Sequence, residues 1–361
     1  MKIVFRVDAS LSLGTGHVMR CLTLANIFRE RRMAVSFVCR LHEGHLCDLI
    51  EARGFAVRRL AVRGHSGTAR ATSKTAWLGA SWQDDAQQTR AAIEEHDGTV
   101  DLLAVDHYSL DARWEGVLRG AARRVFVVDD LADRPHDCDV LLDQNLHDSP
   151  ESRYLGLVKE TTRVFVGPRY AVLRPEFDNF AVRVRDGGVQ RLLVYFGGGA
   201  DVTNELLKIV SALRTLAVDA PVATFVLGPS NPPAPALCRA AAGFDRIRII
   251  EATSEMAGLI DEADLGIGTC GGTAWERCAL GLPALVVVTG RNQRDDARIL
   301  HALGAVRNLG AAHLTGVQDW SDAIRELQNN STILRSMSLA SAAVMRGRRS
   351  AMQELQAALV G

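Results

Sequence analysis

The feature that most constrains the fold is a strand that runs into a glycine loop and then into a helix at the start of the chain. The apolar run at 3–5 predicts a buried strand, and Gly14 and Gly16 allow a close turn before a helix that begins near Gly16. The start of such a helix presents free N–H groups and the positive end of its dipole. The stretch therefore favours a phosphate or a developing negative charge above the sheet.

Strand and helix patterns alternate along the rest of the chain, which predicts a parallel α/β architecture. In the first half we predict strands at 2–7, 34–39, 56–60, 102–106, 124–129 and 140–142, and helices at 16–32, 44–53, 83–96 and 112–121. In the second half we predict strands at 222–227, 247–250, 265–268, 284–288 and 305–309, followed by a helical C-terminal segment.

A domain boundary is predicted within residues 167–190, where prolines and glycines interrupt the periodicity. A second strand, glycine loop and helix then begin at Arg191 and repeat the layout of the N-terminus. We therefore predict two domains, 1–175 and 176–361. The terminal helices are expected to close the second domain. The alternative is that they also cross back and pack onto the first domain. Two such domains would face each other across a cleft at the carboxyl ends of both sheets, where ligands of open α/β sheets bind.

Charge and cysteine usage narrow the class of protein. Lys plus Arg and Asp plus Glu are both 42, so nothing in the balance indicates a nucleic-acid partner. The seven cysteines include no C-x-x-C pair, which favours a reduced, cytoplasmic protein. The N-terminus enters a strand without an export signal, and no apolar run is long enough to span a membrane. We expect a small-molecule ligand, with no nucleic acid and no membrane as partner.

Chemistry-bearing residues recur where strands are predicted to end. His17, in the mouth of the first glycine loop, is able to exchange a proton near neutral pH, and the alternative is a loop histidine that caps a helix. The pair Asp129 and Asp130 suggests a metal ligand or a polar anchor, and no spacing elsewhere builds a metal site. The remaining candidates are Asp8, 106–108, 197–204 and 268–276.

The stretch 268–276 is the most informative of these. Gly271 and Gly272 open a helix and leave bare N–H groups for an anion, and Glu276 follows within reach of a ribose. A nucleoside diphosphate fits this pattern, and so does an ordinary tight strand–helix turn. The glycines at 197–199 would cradle the same diphosphate. No Gly-Lys-Ser/Thr follows them, and Met19 occupies the last position of a would-be G-x-G-x-x-G, so an NTPase loop and a dinucleotide oxidoreductase are disfavoured.

Taken together, these motifs resemble the nucleotide-sugar hydrolases of pseudaminic acid biosynthesis, which act on UDP-2,4-diacetamido-2,4,6-trideoxy-β-L-altropyranose. The resemblance covers roughly residues 1–310, and the matching segments are 6–10, 14–22, 77–86, 105–108, 128–132, 167–175, 197–201, 254–256, 271–276 and 292–293. It implies two Rossmann-like domains of the GT-B type, similar to the glycosyltransferase MurG. It also implies a monomeric enzyme that uses no metal and no cofactor.

The resemblance also assigns roles to individual residues. It implies that His17 is catalytic. It places the substrate on Asp8, Gly14, Thr15, Gly16, Tyr108, Asn292 and Gln293, with the last two facing either the sugar or the phosphates. It places UDP on Gly197, Gly198, Gly199, Ser254, Met256, Gly271, Gly272, Thr273 and Glu276, with Met256 lining the uracil pocket and Glu276 holding the ribose.

The implied reaction is attack by water on the anomeric carbon, with inversion and release of UDP, and with His17 as the general base. Either Asp8 or Asp106 would orient His17. One alternative is a glycosyltransferase that passes the sugar to an acceptor hydroxyl, and a second is a hydrolase for a related UDP-diacetamido sugar. A third is a binding protein without turnover.

Overall fold

The chain folds into two α/β units, in a computed structural model that describes residues 1–62, 77–197, 202–228, 235–251, 253 and 255–361. Unit 1 comprises 1–145, 149–172 and 349–361, and unit 2 comprises 146–148 and 173–348. The chain therefore enters unit 2 near residue 173 and returns to unit 1 for its last helix. Among the described residues, no helix combines the length and the apolar character that a membrane crossing requires.

Unit 1 contains a seven-stranded parallel sheet with the strand order β3-β2-β1-β4-β5-β6-β7. Its strands are β1 (Lys2–Val7), β2 (Ala34–Arg40), β3 (Ala56–Leu60), β4 (Leu102–Asp106), β5 (Val125–Val128), β6 (Val140–Asp143) and β7 (Arg163–Val166). Its helices are α1 (Gly16–Glu30), α2 (Cys47–Ala52), α3 (Trp82–His96), α4 (Ala112–Leu118) and, after unit 2, α12 (Arg348–Val360).

Both faces of this sheet are covered because its strands are apolar on both sides. Along β1, Phe5 packs with α1 and α12 into one buried cluster, whereas Val4 belongs to a second cluster with α3 and α4. Leu355 and Leu359 bring α12 into the first cluster, and both are fully buried. The last helix is thus part of the core of unit 1.

Unit 2 contains a six-stranded parallel sheet with the strand order β10-β9-β8-β11-β12-β13. Its strands are β8 (Arg191–Tyr195), β9 (Val222–Val226), β10 (Ile247–Ile250), β11 (Leu265–Gly268), β12 (Ala284–Val288) and β13 (Val306–Ala311). Its helices are α5 (Thr203–Leu216), α6 (Pro235–Ala241), α7 (Met256–Glu262), α8 (Gly272–Ala279), α9 (Arg294–Ala302), α10 (Val317–Gln328) and α11 (Ser331–Val344). Leu213, Trp320 and Leu334 join α5, α10 and α11 in its core.

The sequence patterns place most of these elements correctly, although the helix predicted over 112–121 ends at Leu118, and two further differences have clear causes. Strand β7 is not predicted, because it is short and begins with an exposed arginine at the edge of the sheet. The second helix is predicted over 44–53 but begins at Cys47, since Gly44 adopts a left-handed φ of 80° and its neighbours form a turn.

Four fully buried charges tie the first two strands of unit 1 to α3. Arg6 on β1 donates to both oxygens of Asp8 (2.6 and 2.9 Å) and to Asp85 (2.6 Å). Arg40 at the end of β2 donates to Asp85 from its guanidinium (2.6 Å) and to Asp8 from its backbone N–H (2.7 Å). Burial opposes ionisation of Asp85, but the charge of Arg6 holds the pKa of that carboxyl below its usual value. The network therefore contains two cations and two anions whose charges balance.

We expect Asp85→Ala to lower the free energy of unfolding by about 3–5 kcal/mol, because it leaves Arg6 and Arg40 buried with one carboxylate between them. Urea unfolding at pH 7 measures the change. Glu94→Ala on the same helix is the matched control, since Glu94 makes an exposed pair with Arg90 that is worth at most about 0.5 kcal/mol. Equal losses in the two variants would contradict a structural role for the network.

Candidate active site

Acidic residues gather at the carboxyl edge of the sheet of unit 1. Asp106 is the last residue of β4, while Asp8 and Asp129 directly follow β1 and β5, which flank β4 in the sheet. The carboxyl ends of parallel strands lie at the same edge, so these side chains converge although the sequence separates them widely. Helix α1 begins at the same edge and carries His17.

His17 and Asp106 form a hydrogen-bonded pair. Nδ1 of His17 lies 2.5 Å from Oδ1 of Asp106, and the two residues are 7% and 1% exposed. A carboxylate only accepts hydrogen bonds, so the contact assigns the proton to Nδ1 and leaves the lone pair on Nε2. The pairing also settles which carboxylate orients the histidine, because both oxygens of Asp8 are engaged by Arg6.

Arg20, one turn further along α1, binds the Asp106 carboxylate from the same helix face as His17. Its Nε and Nη2 donate to the two oxygens of Asp106 (2.7 and 2.8 Å), and its Nη1 donates to Asp130 (3.1 Å). Burial alone would raise the pKa of Asp106, but Arg20 and then His17 hold it well below its usual value. Asp106 is therefore a fixed negative charge on which the orientation of the imidazole depends.

Tyr108 closes the other side of the histidine. Its ring meets the His17 ring edge-on, with centroids 4.5 Å apart and planes at 84°, and its hydroxyl donates to Asp130 (3.1 Å). Burial and then the charge of Asp130 raise the pKa of Tyr108, so the phenol stays protonated at neutral pH. The ring and the Asp106 contact together restrict His17 to one orientation.

The predicted sugar-binding loop lies between β1 and α1. Gly14 adopts a left-handed φ of 76°, which favours glycine, and donates its N–H to the Ser10 carbonyl oxygen (2.9 Å). Thr15 precedes the helix without a side-chain cap, and a Cβ at Gly16 would meet nothing within 4 Å. Asp8 is 1% exposed, and its neighbours are Arg6, the backbone N–H of Arg40, and Nε2 of His107 and of His42 at 3.4 and 3.6 Å.

Asp129 and Asp130, the predicted metal ligand or polar anchor, behave as anchors. Asp129 accepts from the Tyr154 hydroxyl (3.0 Å) and from the backbone N–H of Ala132 (2.8 Å), and Asp130 pairs with Arg20. Across the described ranges, no group of three or more His, Cys, Asp or Glu side chains is placed to hold a metal ion.

In unit 2 the glycines of the 268–273 turn leave the start of α8 open. Gly271 and Gly272 do not adopt a left-handed φ, and a Cβ at either would meet nothing within 4 Å. Neither backbone strain nor packing thus requires glycine there, and what the missing side chains provide is access to the free N–H groups of the helix. Gly197, after β8, has a φ of 84°, and its Cβ would lie 3.8 Å from the Thr273 methyl group.

Glu276 lies one turn into α8 beside Arg174, whose Nη2 is 3.3 Å from its Oε1. Burial raises the pKa of Glu276, and Arg174 opposes that rise without cancelling it. The side chain retains 16% exposure, which leaves a carboxylate oxygen able to accept hydrogen bonds from a ligand. The position thus has the chemistry predicted for a ribose partner.

The other predicted binding residues of unit 2 occupy different environments. Met256 begins α7 and is 2% exposed. Gln293 accepts from the N–H and the hydroxyl of Thr289, both at 3.1 Å, while Asn292 beside it is exposed. Gly198, Gly199 and Ser254 lie outside the described residues.

Sequence reasoning missed three charged residues around these groups: Arg20, Arg174 and Arg277. Arg20 stands at i+3 from His17 on α1, a spacing that places both on one helix face and was a usable signal. Arg174 reaches Glu276 across 102 residues of sequence, which no local pattern reveals. Arg277, on α8, is buried beneath the glycine turn and looks like an ordinary helical residue in the sequence.

Comparison with known proteins supports the resemblance drawn from the motifs. Residues 192–355 match the glycosyltransferase family 28 C-terminal domain. The UDP-2,4-diacetamido-2,4,6-trideoxy-β-L-altropyranose hydrolase of Campylobacter jejuni is 28% identical over 73% of this chain and 83% of its own length. The Bacillus subtilis spore coat polysaccharide biosynthesis protein SpsG is also 28% identical, over 44% of this chain and 47% of its own.

Solved structures confirm the predicted fold class, GT-B with two Rossmann-like units. MurG of Acinetobacter baumannii superposes with a TM-score of 0.66 and 16% identity, covering 99% of both chains. LpCGTa, solved in complex with UDP, superposes with a TM-score of 0.69 and 12% identity, covering 100% of this chain and 99% of its own. At these identities the similarity establishes the fold alone.

We expect Asp106→Asn to lower the free energy of unfolding at pH 7 by about 3 kcal/mol, because it leaves Arg20 without its main buried counter-charge. The folded pKa of Asp106 lies below the unfolded value of about 3.9, so its stabilisation is complete above that pH. The difference in the free energy of unfolding between wild type and variant, called the gap below, should therefore be constant from pH 7 to about pH 5. It should narrow as the pH falls below about 3.9, where the unfolded state takes up the proton, and continue to narrow toward the lower folded pKa.

Urea unfolding over that pH range measures the gap, with Asp148→Asn as the control. Asp148 forms an exposed pair with Arg298, so its replacement should change stability little at any pH. A gap for Asp106→Asn that is the same at pH 3 and pH 7 would show that the carboxylate charge does not stabilise this site.

Proposed function

We propose that the protein hydrolyses a UDP-sugar, UDP-2,4-diacetamido-2,4,6-trideoxy-β-L-altropyranose, by attack of water on the anomeric carbon. The observation that carries the proposal is the His17–Asp106 pair, a fixed imidazole beside a glycine loop and at the start of a helix. This arrangement suits a general base that acts on a ligand held over the loop. The name of the C. jejuni relative supports the choice of sugar.

We assign the nucleotide to unit 2. The open start of α8 offers free N–H groups and a positive dipole to a diphosphate, and Glu276 offers a carboxylate to the ribose hydroxyls. Two structures that share the fold were solved with UDP or UDP-2-fluoroglucose, which supports a uridine nucleotide as ligand. The family 28 match, over residues 192–355, covers most of this unit.

In the proposed reaction Nε2 of His17 accepts a proton from the attacking water. The water oxygen bonds to the anomeric carbon from the face opposite UDP, and the bond from that carbon to the phosphate oxygen breaks. The bonding pair leaves with UDP, so the products are the inverted free sugar, UDP and one proton taken up by His17. General-base catalysis of this kind contributes about 10²–10⁴-fold. The reaction requires no metal and no cofactor.

Asp106 and Arg20 prepare His17 for this step. The Asp106 carboxylate holds Nδ1–H and stabilises the imidazolium that forms when Nε2 takes the proton. Arg20 shares the Asp106 charge and fixes the carboxylate plane through two hydrogen bonds. Tyr108 packs edge-on against the ring and limits its rotation. The base is thus oriented before the substrate binds.

UDP is a stable anion, so its departure needs charge stabilisation more than it needs a proton. The N–H groups at the start of α8 would supply part of that stabilisation, because their dipoles are already oriented by the helix.

A glycosyltransferase is the second candidate. The family 28 domain match and the structural similarity to MurG both favour transfer of the sugar to an acceptor hydroxyl. His17 would then deprotonate that hydroxyl in place of water, and the roles of α8 and Glu276 would be unchanged. The two candidates differ in one observable, which is whether UDP is released at full rate in buffer alone.

The deciding experiment is turnover of the UDP-sugar in ¹⁸O-labelled water, with mass analysis of both products. Release of UDP without an acceptor, with the label in the free sugar, is the expected result. Label in UDP would mean that water attacks phosphorus. Release only after an acceptor alcohol is added would identify a transferase.

In the same assay we expect His17→Phe to lower kcat by about 10²–10⁴-fold while UDP binding is retained, because the ring keeps its volume but loses the basic nitrogen. His96→Phe, an exposed histidine at the end of α3, is the control and should keep full activity. Full turnover by a folded His17→Phe protein would remove His17 from the mechanism.

We expect Gly272→Ala to weaken UDP binding about tenfold, or about 1.4 kcal/mol, without lowering the free energy of unfolding, because the new methyl group occupies the open space at the start of α8. Isothermal titration with UDP and urea unfolding measure the two quantities. Gly116→Ala, a second helical glycine whose Cβ also meets nothing within 4 Å, is the matched control. Unchanged UDP affinity in Gly272→Ala would contradict the placement of the diphosphate.

A further inference from the structure

Arg277 is a buried cation to which the proposed reaction gives no role. It is 4% exposed, its Nη2 donates to the Thr269 carbonyl (2.6 Å), and its Nη1 donates to the Thr273 hydroxyl (3.3 Å). Nε has no hydrogen-bond partner, and no carboxylate of the described residues forms an ion pair with the guanidinium. Burial of a charge without a counter-charge is strongly unfavourable, and here it lowers the pKa of the group.

Strand β11 is shaped to accept this side chain. A Cβ at Gly266 would lie 2.8 Å from Cδ of Arg277, and a Cβ at Gly268 would lie 3.2 Å from its Nη1. The Cβ at Gly268 would also lie 2.2 Å from the Tyr195 carbonyl oxygen, so no side chain fits there. Two glycines weaken a buried strand of four residues, so the space that accommodates Arg277 lowers the stability of the sheet.

The place of the guanidinium within α8 makes its charge still less favourable. A helical side chain points toward the N-terminus of its helix, and the contacts of Arg277 with Thr273 and Thr269 show that it does so here. The N-terminus is the positive end of the helix dipole, so dipole and guanidinium repel each other. An anion at the start of α8 would relieve both.

A second buried arginine of unit 2 shows the opposite arrangement. Arg185 is 2% exposed and donates to the carbonyl oxygens of Ile260, Ala263 and Leu280, at the C-terminal ends of α7 and α8. Burial lowers the pKa of Arg185 to about 10, as it lowers the pKa of Arg277, but the guanidinium of Arg185 faces the negative ends of two helix dipoles. The guanidinium of Arg277 instead lies near the positive end of α8, so an anion would be favourable beside Arg277 and is not needed beside Arg185.

We propose that Arg277 is a positioning residue that supplies positive charge to a diphosphate bound at the start of α8 and holds Thr269 and Thr273 in place beneath it. The inference rests on the proposed nucleotide site of unit 2 and deepens it. Its consequence is selection by ligand charge: the contribution of Arg277 is largest for a nucleoside diphosphate, smaller for a monophosphate and negligible for the nucleoside.

The test is isothermal titration of wild type, Arg277→Met and Arg277→Lys with UDP, UMP and uridine. We expect Arg277→Met to weaken UDP binding about thirtyfold and UMP binding less, and to leave uridine binding within about twofold. Arg277→Lys keeps the charge and should recover a large part of the UDP affinity. Should Arg277→Met fail to fold, Arg277→Gln and Arg277→Lys provide the same comparison.

Arg185→Met is the matched control, since it removes an equally buried arginine from the far ends of α7 and α8. It should lower the unfolding midpoint and leave the order and ratios of the three affinities unchanged. Equal weakening of all three ligands by Arg277→Met, without recovery in Arg277→Lys, would show a merely structural role and overturn the inference. Wild type that binds none of the three ligands would instead refute the nucleotide site itself.

Discussion

The common direction of the strands within each sheet is the constraint on which both candidate sites depend. Parallel strands end at one edge, so residues that follow β1, β4 and β5 meet there although up to about 120 positions separate them in the chain. Helices that begin at this edge turn their free N–H groups toward the same space. His17 with Asp106, and the glycine turn before α8, are two products of this one geometry.

The buried charged residues near these strand ends differ in their partners. Asp8 and Asp85 are neutralised by Arg6 and Arg40, so these four residues pair with each other inside unit 1. Asp106 is neutralised by Arg20 but also holds His17, which is the pair that the proposed function uses as a general base. Arg277, in the last turn of α8, forms no ion pair with a carboxylate of the described residues, and its guanidinium reaches back to Thr269 and Thr273 near the positive end of the helix. A buried cation that forms no ion pair and lies near the positive end of a helix thus suits an anionic ligand.

The GT-B fold alone does not distinguish hydrolysis from transfer, because one scaffold can host both chemistries. A base that deprotonates water can equally deprotonate an alcohol, and the anionic leaving group needs the same stabilisation in either case. What differs is the group that reaches the anomeric carbon. For this reason hydrolysis is proposed from the orientation of His17 and from the similarity to the C. jejuni hydrolase, and the acceptor dependence of UDP release distinguishes it from transfer.

The amino-acid sequence by itself determined the α/β class, most strand positions and the glycine turns, because periodicity, apolar runs and glycine are local signals. It also singled out His17 and Glu276. Only the tertiary structure decided that Asp106 orients His17 while Asp8 pairs with Arg6, and that Arg174 reaches Glu276. It also placed the last helix in the core of unit 1 and left Arg277 buried without a counter-charge. The physical reason is that charge pairing and burial depend on which strands become neighbours in the sheet. No local sequence pattern predicts that order.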